Sequence, residues 1–181
     1  MLQRQFFSII LSLFILSSLS AQQNFWLPVD YKDVNINKSF KNNFILSQND
    51  YYSLNKSSLI NQLDLAPYRH EYVKSALILN IPNPKGEFEA FQIFKTQTLS
   101  SQLAQKYPGI NSYVGKSIDN GSKMMRLTTT PQGIYIMILS PNNGQYFINP
   151  IDDNGQYYMS FLKSNAHDLS QTDCEFGGET Y

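Results

Sequence analysis

The chain has 181 residues, 42% of them hydrophobic and only 15% charged, with 14 Lys+Arg against 14 Asp+Glu. That length corresponds to about one domain, and so low and balanced a charge excludes a disordered polyelectrolyte and a basic nucleic-acid binder. One cysteine excludes an internal disulfide framework and a multi-cysteine zinc knuckle, while 12 Tyr, 12 Phe and 1 Trp supply ample material for a core.

Residues 1–21 differ from the rest. Arg4 is their only charge, and an apolar run from Phe6 through Leu19 ends in the small pair Ser20-Ala21. This is the pattern of a secretory signal peptide cut after Ser20 or after Ala21. The run falls short of the ~20 apolar residues that a membrane-spanning helix needs, and serines interrupt its second half. The expected mature chain is therefore exported, to the periplasm, the cell surface or the medium, with no membrane segment left after cleavage.

Residues 22–48 mix aromatics with Asn and Lys, and Phe44-Ile45-Leu46 reads as a short strand. A helix is predicted from about Leu54 to Leu65, because Leu54, Leu59, Ile60 and Leu63 share one face; Asn49, Asp50 and Ser53 are its N-cap candidates. Strand chemistry then takes over. Ala76–Ile81 and Glu87–Thr96 flank the turn Asn83-Pro84-Lys85-Gly86 and read as a hairpin. A short helix over Leu99–Tyr107 closes at Pro108-Gly109. Five further strands are predicted at Ile110–Ile118, Lys123–Thr130, Gly133–Ser140, Gln145–Asn149 and Gln156–Leu162, separated by turn signals such as Asp119-Asn120-Gly121 and Asp153-Asn154-Gly155. The run Ile134–Leu139, apolar throughout, is expected to be the most central strand. The tail after Ser164 is polar and without period. The pattern predicts an α+β, mainly antiparallel β domain: a meander sheet of five to seven strands with one or two short helices packed on it.

Catalytic chemistry finds little to use. A zinc hydrolase would need His-Glu-x-x-His on a helix, but His70-Glu71 is followed by Tyr72-Val73-Lys74, and His167 lies in the polar tail. No Gly-x-Ser-x-Gly occurs, and Gly177-Gly178 lacks the strand and helix of a phosphate loop. Asp152-Asp153-Asn154-Gly155 has the opening of a calcium loop without its later ligands, so a hairpin turn accounts for it better. Asn37, Asn55 and Asn120 each begin an Asn-x-Ser triplet, as expected by chance in a chain this rich in Asn and Ser. The residues thus predict a chain without enzymatic activity, catalytic or metal-binding residues, or cofactor.

One stretch is more specific. It runs Lys106-Tyr107-Pro108-Gly109-Ile110-Asn111-Ser112-Tyr113-Val114-Gly115-Lys116-Ser117-Ile118-Asp119-Asn120. Then come Met125-Arg126-Leu127, Thr130-Pro131-Gln132-Gly133-Ile134-Tyr135-Ile136-Met137-Ile138 and Tyr146-Phe147-Ile148-Asn149-Pro150. In this order the segments resemble the N-terminal prodomain of secreted reprolysin-like zinc metalloproteases of Bacteroidetes type. The resemblance covers roughly residues 22–165, and residues 166–181 would be linker or truncated tail. Asn120-Gly121-Ser122 departs from the family, where a proline is common.

The resemblance implies a non-catalytic prodomain that assists folding of a zinc metalloprotease and covers its cleft, with the cognate catalytic domain as partner in cis or in trans. A catalytic domain bearing the extended His-Glu-x-x-His motif would be expected to follow, so the chain reads as a fragment or a stand-alone copy of a larger precursor. Cys174 is then a zinc-switch candidate, because in related animal proteases a prodomain thiolate fills the open zinc position. Its surroundings, Asp173-Cys174-Glu175-Phe176-Gly177, do not reproduce the usual switch sequence, and flanking acids raise a thiol pKa. A disulfide partner in a missing C-terminal part is the equal reading. The alternative function is a secreted binding or adhesion module that uses exposed aromatics on glycan or protein.

Overall fold

The computed structural model describes residues 24–36, 49–70, 77–141 and 144–165. The strands predicted from the turn punctuation form within them: β3 (Leu77–Pro82), β4 (Phe88–Thr96), β5 (Asn111–Ser117), β6 (Met124–Thr129), β7 (Ile134–Ser140), β8 (Gly144–Pro150) and β9 (Tyr157–Leu162). Each pairs antiparallel with the next. Two more strands, β1 (Trp26–Val29) and β2 (Asp50–Leu54), extend the sheet beyond β9. The order is β1-β2-β9-β8-β7-β6-β5-β4-β3. The predicted five to seven strands are therefore corrected to nine. β1 is only four residues long and contains Pro28, and β2 pairs with a strand far along the chain, so neither has a local signature.

The N-cap expectation is corrected for the same reason. Asp50 and Ser53 lie inside β2, and helix α1 (Lys56–Leu63) is capped by Asn55, whose side-chain oxygen accepts a hydrogen bond from the Ser58 backbone N–H. Asn55, the start of one Asn-x-Ser triplet, thus has a structural duty. Helix α2 (Ser101–Lys106) is capped by Ser100 in the same way. Phe44–Leu46 lies outside the described residues.

The sheet curls into a half-barrel. Five strands separate β2 from β4 in its order, which in a flat sheet would hold them about 29 Å apart at ~4.8 Å per strand. Yet the rings of Tyr52 and Phe88 lie 6.1 Å apart, close to perpendicular. Inside the curl, Leu59 and Leu63 of α1 are fully buried against Trp26, Tyr52, Phe91, Ile136 and their neighbours. On the outside, a 3-10 turn at Tyr31–Asp33 carries the chain back, and Val34 and Ile36 pack against Tyr51, Met159 and Phe161 as a second core. This second core covers the β2–β9 end of the outer face and reaches Phe147 of β8, whose ring stacks on Phe161 at 5.5 Å.

Burial also fixes the ionisation of the aromatic core. The hydroxyls of Tyr51, Tyr52, Tyr113 and Tyr158 are pushed up to about 12, chiefly by desolvation. Tyr146 is pushed beyond the ordinary tyrosine range by burial and then by the Glu89 carboxylate. An unfolded tyrosine ionises near pH ~10. The stability that comes from keeping these groups neutral is therefore complete below pH ~10 and is lost as pH rises through ~12. In an alkaline titration, these five tyrosines are expected to ionise only together with loss of the circular-dichroism signal. Their tyrosinate absorbance appearing while the fold persists would contradict their burial.

Candidate partner-docking surface

The strand register aligns the outward residues in rows. Ile78, Gln92, Lys116, Met124 and Leu139 are successive cross-strand partners from β3 to β7. The next row is Phe94, Val114, Arg126, Met137 and Phe147, and a third is Thr96, Ser112, Thr128 and Tyr135. The first row is exposed throughout, with Ile78 at 47% and Met124 and Leu139 at 40% each. No residue of the three rows is acidic, and Lys116 and Arg126 are cationic. Met124 and Leu139 are direct cross-strand neighbours, whereas Gln92 and Lys116 separate Ile78 from them; isolated exposed apolar residues are ordinary on a protein surface.

β7 explains why the sequence did not reveal this face. Its position is as predicted, the fifth of nine strands. A central strand has neighbours on both sides, but that does not cover both its faces. Ile134, Ile136 and Ile138 point into the core, whereas Tyr135 and Leu139 point outward and stay exposed. The legible signal was the lack of polar alternation in Ile134–Leu139, where an outward face of a solvated antiparallel sheet is expected to be polar.

A polar cluster lies at the mouth of the curl, around a cleft of about 290 Å³. Lys123 Nζ donates to both Glu89 carboxylate oxygens at 2.8 Å, and the Asn83 side-chain amide donates to Glu87 and Glu89. The Tyr146 hydroxyl lies 3.5 Å from the same carboxylate. The Asn83 side-chain oxygen in turn accepts from the backbone N–H groups of Lys85 and Glu87. These groups satisfy one another, so the cluster pins the β3–β4 turn to β6 and β8 and presents no aimed ligand group.

His70 lies exposed beside Tyr68, with ring centroids 5.6 Å apart. His167 and Cys174 lie outside the described residues. Asp152 accepts hydrogen bonds from the N–H groups of Asn154, Gln156 and Tyr157, which builds the β8–β9 hairpin turn. Among the described residues no group of three or more His, Cys, Asp or Glu could hold a metal ion, and no helix is long and apolar enough to cross a membrane. The large aromatics Trp26, Tyr52, Tyr113, Tyr158 and Phe91 are core. Tyr68, Phe88, Tyr107 and Tyr135 remain as exposed rings for stacking. The chain matches no protein-family model, no curated protein and no solved structure.

Proposed function

We propose that this chain is a secreted, non-catalytic prodomain that assists the folding of, and inhibits, a reprolysin-like zinc metalloprotease, acting in cis or in trans. One observation carries the reading. The stretch that resembles such prodomains, Lys106–Pro150, coincides with β5–β8, which supply both the centre of the core and most of the outward rows. A preformed sheet of this kind can act as a docking template, while an extended segment lies along the partner's cleft. In this reading Cys174 is the zinc-switch candidate, and the zinc belongs to the partner.

The test uses the reprolysin-like catalytic domains encoded in the same genome, each co-expressed with this chain and then separated from it. At least one is expected to be recovered soluble and active only after co-expression, and to be inhibited when the chain is added back. If none depends on the chain or is inhibited by it, the reading fails. Cys174→Ser separates the two roles of the thiol. A zinc switch requires weaker inhibition by the variant, and equal inhibition would remove it. Glycan binding that is lost on mutating Tyr107 and Tyr135, without any protease inhibition, would favour the adhesion reading instead.

A further inference from the structure

The cluster around Glu89 lies near the start of β4. At the other end of that strand a second cleft, of about 200 Å³, opens between the ends of β4 and β5 and helix α2. Leu99, Ala104 and Ile110 give it a small apolar wall, and its other lining side chains are Tyr68 and polar groups. Pockets for drug-sized ligands measure about 300–1,000 Å³, so this one suits a single ring.

Tyr68 is held firmly there although it belongs to no strand. Lys95 N–H donates to the Pro67 carbonyl oxygen at 2.8 Å, and Arg69 N–H donates to the Lys95 carbonyl oxygen at 3.1 Å. These bonds form an isolated parallel bridge that fastens Tyr68 beside the end of β4. The residue stays 39% exposed, with the His70 ring tilted 34° beside it. A ring fixed in advance loses little freedom on binding.

Amides and hydroxyls stand around the ring. Gln97 and Thr98 are exposed, and Asn111 and Ser112 are half-buried. The Thr96 hydroxyl donates to the Ser112 carbonyl oxygen at 3.2 Å and the Asn111 amide to that of Pro108 at 3.4 Å, which stiffens this rim. None of the lining side chains is acidic, and Lys95 is cationic. Asp64, whose charge acts on the Tyr113 hydroxyl, does not line the cleft.

An apolar ligand would strip water from these amides and hydroxyls without replacing its hydrogen bonds. A cation would meet Lys95 with no acid to offset it. A sugar ring satisfies both kinds of surface. Its C–H face packs on an aromatic ring, and its hydroxyls, each a donor and an acceptor, reach amides and hydroxyls. We propose that this cleft binds one unit of an acidic saccharide, with the sugar's C–H face on Tyr68 and its carboxylate toward Lys95. Binding is expected whether or not the chain inhibits a protease.

The experiment titrates the full chain with glucuronic acid, glucose, acetate and a tetramer of uronic acid, followed by NMR chemical shifts. Glucuronic acid is expected to saturate the wild type with a Kd of ~1 mM, the scale for so small a ligand. Glucose should bind about threefold more weakly, the worth of one solvated charge pair. Tyr68→Ala should weaken both sugars about tenfold, and Tyr68→Phe should keep the binding. Lys95→Gln should bring glucuronic acid down to the level of glucose and leave glucose unchanged, while the remote Lys32→Gln should alter neither. The substituted side chains are at least partly exposed, so thermal melts are expected to stay near wild type. Tighter binding of the tetramer would identify a polysaccharide as the source, and equal binding a free sugar; both support the site. Acetate binding as tightly as glucuronic acid would reduce the cleft to an anion contact and overturn the proposal. Undiminished sugar binding by Tyr68→Ala, or no saturable binding of any sugar by the wild type, would overturn it as well.

Discussion

Trp26→Ala is expected to destabilise the fold by about 3–5 kcal/mol, the range for removing a large aromatic from a packed core. Trp26 is fully buried and meets Tyr158 and Tyr52 edge-on, with ring centroids 5.2 and 6.4 Å away. It lies on β1, an edge strand of four residues. The side chain therefore does for β1 what hydrogen bonds on a second flank do for inner strands: it fastens the strand to the core. The replacement would open a cavity lined by the two tyrosine rings, and β1 would lose its main anchor.

The indole also carries a liability. Its Nε1–H is buried and has no hydrogen-bond partner, a burden of about 1–3 kcal/mol for an unsatisfied donor. Trp26→Phe removes that donor and leaves a smaller void, so it should cost less than half as much as the alanine. Urea unfolding followed by circular dichroism, with unchanged m-value, measures both. Equal losses for Phe and Ala would show that the size of the void, and with it the packing of the ring against Tyr52 and Tyr158, has no energetic consequence. Trp26 is the chain's only tryptophan, so its fluorescence reports wild-type unfolding without interference.

Gly155→Ala is expected to cost about 3 kcal/mol, for two separable reasons. Gly155 adopts φ +62°, where an L-residue with a side chain is strained by about 1–2 kcal/mol. An added Cβ would also collide with the Gln132 carbonyl oxygen and lie 3.0 Å from the Gly133 Cα, both backbone, which cannot swing aside. Overpacking of that kind costs about 1–3 kcal/mol. The contact arises because the β8–β9 turn sits on the β6–β7 turn, beside the hydrogen bond that Ile134 N–H donates to the Tyr158 hydroxyl at 3.0 Å. Asparagine tolerates left-handed backbone well, so Gly155→Asn separates the causes. If it restores full stability, conformational strain was the whole effect. If it remains as damaging as alanine, the collision between the two turns dominates.

The two glycine contacts show how much of the fold was legible. The dipeptides that punctuate β3 to β9 were readable because turn chemistry is local: Asn83 caps the β3–β4 turn through the Lys85 and Glu87 N–H groups, and Asp152 does the same in the β8–β9 turn. That the second of these turns rests on Gln132 was not readable, since nothing in Asp152–Gly155 refers to residues twenty positions earlier. Asn55 capping α1 was missed for a related reason. Asp50 and Ser53 are equally good caps by residue type, and only their pairing with β9 removes them from contention.

What the sequence by itself determined was periodicity and punctuation: seven consecutive strands, two short helices, and the central place of Ile134–Leu139. Period-two alternation says which residues share a face, because successive side chains point to opposite sides of a strand. It does not say what lies over that face. Tertiary structure decided that β1 and β2 complete the sheet, that the sheet curls around α1, and that Val34 and Ile36 cover the β2–β9 end of its outer side. It left Met124, Arg126, Tyr135 and Leu139 facing outward beyond that end. The physical reason is that strand pairing and face coverage depend on contacts between residues far apart in the chain, which no local pattern encodes.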